Sequence, residues 1–188
     1  MVSLQFRGEH FCGGTLINDR FILTAAHCLD AIHSYGKKAT DITARIGKSD
    51  IGFLKGSESY ECDHWVIHEC YAERDLLSDD IALLRLKESV KIDGKTVGTV
   101  CLPPKGQSPE VNLAMILIGW GVMTETSSTV REESAKRLQK TQTNIVSEEF
   151  CEYYFYYKNI GIIGVIWIKG KRLCFRENTT ACRVSFHS

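Results

Sequence analysis

The run LTAAHC, residues 23–28, sets His27 after two alanines and against Cys28, at the end of what reads as a buried strand. An imidazole so placed can serve as a general base. It would take the proton of a serine hydroxyl, itself a poor nucleophile at its ordinary pKa, provided that a carboxylate holds its other nitrogen. A histidine beside a cysteine suits plain packing or the surface equally well, so the sequence around it must decide.

The segments able to position such a residue are short and β-rich: 2–6, 15–17, 21–24, 43–46, 65–68, 81–86, 97–102, 114–120 and 140–146, separated by Gly, Asp, Asn and Ser clusters. Regular strands of this kind predict an all-β barrel or sandwich. The polar run 128–140 suits either a helix or a solvated surface loop. With 188 residues, 44% of them hydrophobic and 24% charged, the composition is that of one globular domain. Lys plus Arg and Asp plus Glu both number 23, so no net field points to nucleic acid, an anionic membrane surface or a polyanionic substrate. The apolar stretch IGIIGVIWI (160–168) is about half the roughly 20 residues of a spanning helix, and reads as a buried strand or a foreign insert.

Eight cysteines, at 12, 28, 62, 70, 101, 151, 174 and 182, show no C-x-x-C spacing. That pattern argues against a zinc site or redox dithiol and for structural disulfides in an oxidising compartment. Met1 is followed by VSLQFRGEHF, which has neither the basic start nor the apolar core of a signal peptide. The expected localisation is nevertheless secreted, with the address missing from these residues.

Several segments in order carry a resemblance: SLQF (3–6), CGGTLI (12–17), LTAAHC (23–28), DIALLRL (80–86), CLPP (101–104), GWG (119–121) and SEEFC (147–151). Together they resemble the chymotrypsin-like (trypsin-like) serine proteases, peptidase family S1. The resemblance implies a chymotrypsin-like double six-stranded β-barrel whose second barrel is incomplete, with residues 1–98 forming the first barrel and 99–188 the partial second. It implies that His27 is the general base and then acid, and that Asp80, immediately before Ile-Ala-Leu-Leu, fixes its tautomer; the neighbouring Asp79 falls one residue out of that pattern. His10, His33, His64, His68 and His187 match no catalytic segment. No cofactor and no metal are implied.

By the same resemblance Cys12 and Cys28 form the disulfide beside the histidine, worth roughly 3 kcal/mol for a loop of about 15 residues. Cys151 and Cys174 match the pair flanking a loop near the substrate pocket, and Cys101 matches a cysteine that holds an upstream propeptide or light chain. Cys62 and Cys70 have no counterpart and suit a mutual bond or two free thiols. Met115 stands where the family often has cysteine. Thr180 falls at the floor of the primary specificity pocket, where an uncharged residue turns preference away from basic side chains; NTT (178–180), a glycosylation sequon, lines that pocket and is expected unmodified.

The family's nucleophile sits in Gly-Asp-Ser-Gly-Gly, beginning two residues after the cysteine that Cys182 matches. Here the residues read ACRVSFHS, with Val184, Ser185 and Phe186 in place of the glycine, aspartate and serine. Ser185 and Ser188 lack the following glycine. The stretch 158–173 also departs from the family's polar loop, as an insertion or foreign sequence would. The expectation is a serine endopeptidase by family, acting on protein or peptide substrates, whose 188 residues lack the nucleophile and are inactive as they stand. The alternative is a non-catalytic homologue that binds or regulates.

Overall fold

In the computed structural model, which describes residues 1–52, 58–73, 79–107, 109–121, 135–147, 150, 165–168 and 171–175, period-two patterning rolls the first strands into a closed barrel. The barrel strands are β1 (Val2–Phe6), β2 (Glu9–Leu16), β3 (Phe21–Thr24), β4 (Ile42–Ile46), β5 (Glu58–Ile67) and β6 (Ala82–Leu86), in the order β1-β2-β3-β6-β5-β4. All neighbours are antiparallel, and β1 against β4 closes the ring. Closure removes the open edges that would otherwise pair with another chain.

The core follows from which side chains face inward. Leu4, Ile22, Ile42, Leu84 and Leu86 are fully buried, joined by Leu29 from α1 (Ala26–Ser34). Each apolar side chain so buried contributes about 1.5–3 kcal/mol. Arg7 and Gly8, at φ 53° and 84°, make the two-residue turn between β1 and β2, whose left-handed backbone matches the twist of a hairpin. Gly14 is required by space: a Cβ there would lie 2.5 Å from Ile22 Cγ2 and 3.3 Å from the Leu23 carbonyl oxygen.

The chain divides into two compact units, Met1–Pro104 and Lys105–His187. In the second, β7 (Ala114–Gly119), β8 (Gln139–Val146), β9 (Val165–Ile168) and β10 (Lys171–Phe175) form a partial sheet in the order β7-β8-β10-β9. The fold is all-β. Among the described residues no helix is long and apolar enough to cross a membrane.

Several elements differ from the sequence expectations, among them β2, which spans Glu9–Leu16 where only 15–17 was expected. Strand β5 runs ten residues, well beyond 65–68, because its outward face is polar and hides the alternation. The nine-residue helix α1 was not expected; Ala26, Leu29 and Ile32 bury one helical face against the barrel, a period too short to stand out between strands. Residues 97–102 form no strand: Val100 N–H reaches the Leu16 carbonyl, but Val100 and Leu102 stay 49% and 58% exposed. Of the apolar stretch 160–168, only Val165–Ile168 is described, as β9. In the run 128–140 the described residues include Gln139 and Lys140, which open β8; residues 128–134 lie outside the description.

The Cys62–Cys70 bond does not form; both are free thiols. Cys62 faces the core, and Cys62 to Ile67 alone covers about 17 Å of strand at roughly 3.4 Å per residue. A disulfide needs Cα atoms within about 7 Å. Burial, with the charge of Asp63 beside it, pushes the Cys62 thiol up to about 12.

The contact at Gly14 sets a test. Gly14→Ala should lower stability by about 1–3 kcal/mol in urea unfolding of the full chain. Gly98→Ala, where an added Cβ meets nothing within 4 Å, should stay within about 0.5 kcal/mol.

Candidate active site

His27 owes its position to the junction of β3 and α1. Ala25, extended at φ −82° and ψ 145°, turns the chain out of the strand, and α1 begins with no side-chain cap and no acidic residue in its first turn. A helix start leaves backbone N–H groups without intrahelical acceptors. Asp80, 53 residues away, supplies one: its Oδ1 accepts the His27 backbone N–H at 2.8 Å.

The other carboxylate oxygen takes the ring. Asp80 Oδ2 accepts from His27 Nδ1 at 2.7 Å. A carboxylate only accepts, so the neutral ring carries its proton on Nδ1 and its lone pair on Nε2. The two side chains are 14% and 13% exposed, shielded enough to strengthen the pair yet open to a reactant.

Sheet register brings the two residues together. β3 pairs with β6, Thr24 opposite Ala82, so the residues just beyond each strand end meet at one rim of the barrel. Asp79, buried and at φ 51°, accepts the Ile81 N–H through its carbonyl at 2.7 Å and bends the chain there. Aspartate tolerates this left-handed backbone better than most residues. The bend leaves Asp80 facing His27. Tyr71 packs nearby: burial, then the charges of Asp80 and Asp30, push its phenol up.

A disulfide holds the other flank. Cys12 of β2 is bonded to Cys28 of α1, with Cα atoms 6.2 Å apart, and Thr24 Oγ1 donates to the Gly13 carbonyl at 2.8 Å. Cys28 Sγ lies 3.5 Å from His27 Nε2. With its two sulfurs bonded to each other, this corner offers no thiolate to a metal.

The remaining sequence-predicted residues are placed as follows. Cys151, Thr180, Cys182, Ser185 and Phe186 lie outside the described residues, so the Cys151–Cys174 pairing does too; Cys174 is described by its backbone, opposite Val146 and Val165. Cys101 is an exposed free thiol. His10 bonds Ser3 Oγ at 2.9 Å and burial lowers its pKa, while His33 stands edge-on to Trp65. The feature that sequence reading missed is the backbone bond from His27 to Asp80. Its signal was an apolar Ala-Ala at a helix start with no local cap.

A family model for trypsin matches residues 1–183. Trypsin Blo t 3 of Blomia tropicalis is 28% identical over 179 residues, 92% of this chain and 62% of that protein. Trypsin delta of Drosophila erecta is 31% identical over 154 residues, 80% of this chain and 53% of that protein. The chain therefore spans less than two thirds of the length of these relatives. A crystal structure of the scabies mite inactivated protease paralogue S-D1 shares the fold with a TM-score of 0.69 at 23% identity, over 84% of this chain and 62% of that one.

The two bonds from Asp80 make separable predictions. Asp80→Ala strands the His27 backbone N–H and ring N–H, and should lower stability by about 1–3 kcal/mol in urea unfolding. In Asp80→Asn the amide can donate to Nδ1, so long-range 1H–15N spectra should show the neutral ring proton moving from Nδ1 to Nε2.

Proposed function

We propose, for a chain that belongs to the trypsin family of serine proteases, that its first unit carries the proton-transfer half of a secreted serine endopeptidase. The observation behind this reading is the Asp80 carboxylate, which fixes both the backbone and the ring of His27. With Nδ1–H committed to Asp80, the Nε2 lone pair is the basic one. It takes the proton from a serine hydroxyl as that oxygen attacks the scissile carbonyl, and the adjacent carboxylate stabilises the imidazolium that results. The same nitrogen then returns the proton to the leaving amine, and water repeats the sequence on the acyl-enzyme.

The serine itself is not among these residues: after Cys182 the sequence reads RVSFHS, without Gly-Asp-Ser-Gly-Gly. Ser185 and Ser188 lack the local frame that aims an attacking oxygen, and about 1 Å of misplacement already costs on the order of a hundredfold in rate. The 188 residues alone therefore turn over no substrate. Protein or peptide chains are the proposed substrates, Thr180 the uncharged floor of the side-chain pocket, and Cys101 the attachment for an upstream segment. The Cys12–Cys28 disulfide fits the oxidising compartment that secretion supplies.

Labelling with a serine-directed phosphonate tests this reading. The protein captured from its source with an antibody to the first unit should appear as a species heavier than 21.2 kDa that takes the label, while the chain of 188 residues takes none. In the labelled species Asp80→Asn should lower kcat by about 10^4-fold. A native protein that never takes the label would instead favour a non-catalytic homologue.

A further inference from the structure

Helix α1 ends beside β5, and the way it ends opens a groove. Gly36, at φ 69°, closes the last turn: its N–H bonds the His33 carbonyl at 2.8 Å and the Lys37 N–H bonds the Ile32 carbonyl at 3.2 Å, the paired closure that a left-handed glycine allows. On β5 the register passes from Cys62 opposite Leu86 to His64 opposite Arg85, which leaves Asp63 as an extra residue. A bulge of this kind re-aims the side chains next to it. Between the two features lies a groove of about 380 Å³ lined chiefly by His33, Lys37, Lys38, Asp63, His64 and Trp65.

We propose that this groove is a docking site for an acidic peptide segment of a partner protein, one that seats an aromatic side chain against Trp65 between carboxylates held by Lys37 and Lys38.

The charge of the groove is positive. Among the described residues of the lining Asp63 is the only acid, and Arg85 takes both of its oxygens, Nε to Oδ1 at 2.7 Å and Nη2 to Oδ2 at 3.1 Å. Outside the lining, Asp41 Oδ2 is committed to the Lys38 backbone N–H at 2.8 Å. Among the described residues neither Lys37 nor Lys38 pairs its ammonium group with a carboxylate. His33 and His64 add ring N–H donors.

The apolar part of the groove is the half-buried Trp65 ring, with the His33 ring edge-on to it at 6.2 Å between centroids, and Ala39. Its volume is near the lower end of small-ligand sites, room for one aromatic side chain and its flanking groups but not for a folded element. Lys38 is extended, at φ −122° and ψ 168°, so its side chain and that of Lys37 diverge. A single carboxylate cannot serve both ammonium groups, whereas acids on either side of an aromatic residue can. A sulfated polysaccharide would meet the charges but bring nothing apolar to Trp65. His33 lies about 9 Å along the axis of α1 from His27, and the docking does not depend on the proposed role of His27 as general base.

The test titrates the full chain, 15N-labelled and with its disulfide intact, with acetyl-Glu-Glu-Phe-Glu-Glu-amide. The backbone amides of His33, Lys37, Lys38 and Trp65 should shift together. Replacing the phenylalanine of the peptide by alanine should weaken binding about ten- to a hundredfold. Reversing both charges, Lys37→Glu with Lys38→Glu, should weaken it about tenfold and let acetyl-Lys-Lys-Phe-Lys-Lys-amide bind in its place. That exchange of partners is a gain that an unfolded variant could not show. The proposal is overturned by an absence of shifts at about 1 mM peptide, by shifts confined to other residues, by equal affinity for the alanine peptide, or by a heparin oligosaccharide that moves these amides where the peptide does not.

Discussion

Asp80 divides its two carboxylate oxygens between a backbone and a side chain of the same residue, His27. The backbone bond caps a helix whose own sequence provides no cap; the ring bond chooses a tautomer. Because both bonds share one carboxylate, the helix cannot shift relative to β6 without the ring losing its partner. Local folding and the chemistry of the site are thus tied to one group.

That group depends in turn on register. A slip of one residue between β3 and β6 would send every side chain of the strand to the opposite face. It would also carry Asp80 away from His27. Ile22 and Leu84, paired across these strands and fully buried, resist the slip by keeping the apolar set inward. Gly14 lets β2 pass close over Ile22, and the Cys12–Cys28 bond fixes β2 to the first turn of α1. The core therefore holds the site by specifying alignment, not by touching the ring.

How much of this was legible follows from where each signal lies. LTAAHC and DIALLRL marked His27 and Asp80, and apolar alternation marked β1, β3, β6, β7 and β8 with small errors at their ends. Strand β5 was obscured because Glu61 and Asp63 populate its outer side, paired with β6 and the residue after it: Asp63 to Arg85 and Glu61 to Lys87. The segment 97–102 misled in the opposite direction, since Val97, Val100 and Leu102 have β-forming side chains but little burial for two of them. Helix α1 and its remote cap were the least legible, because a bond across 53 residues leaves no local pattern. For Cys62 and Cys70 the sequence left a mutual bond and two free thiols both open, and the structure decides for free thiols, with strand geometry pointing Cys62 into an apolar core.

The His27 corner is held from two sides. The Cys12–Cys28 bond ties β2 to the first turn of α1, and Asp80 ties the same turn to the residues before β6. Loss of the disulfide would leave the ring bond in place but free α1 from β2, whereas loss of the carboxylate would leave the tether but release both the backbone N–H and the ring. The two restraints are therefore not interchangeable: the disulfide fixes where the helix starts, and the carboxylate also fixes which ring nitrogen carries the proton.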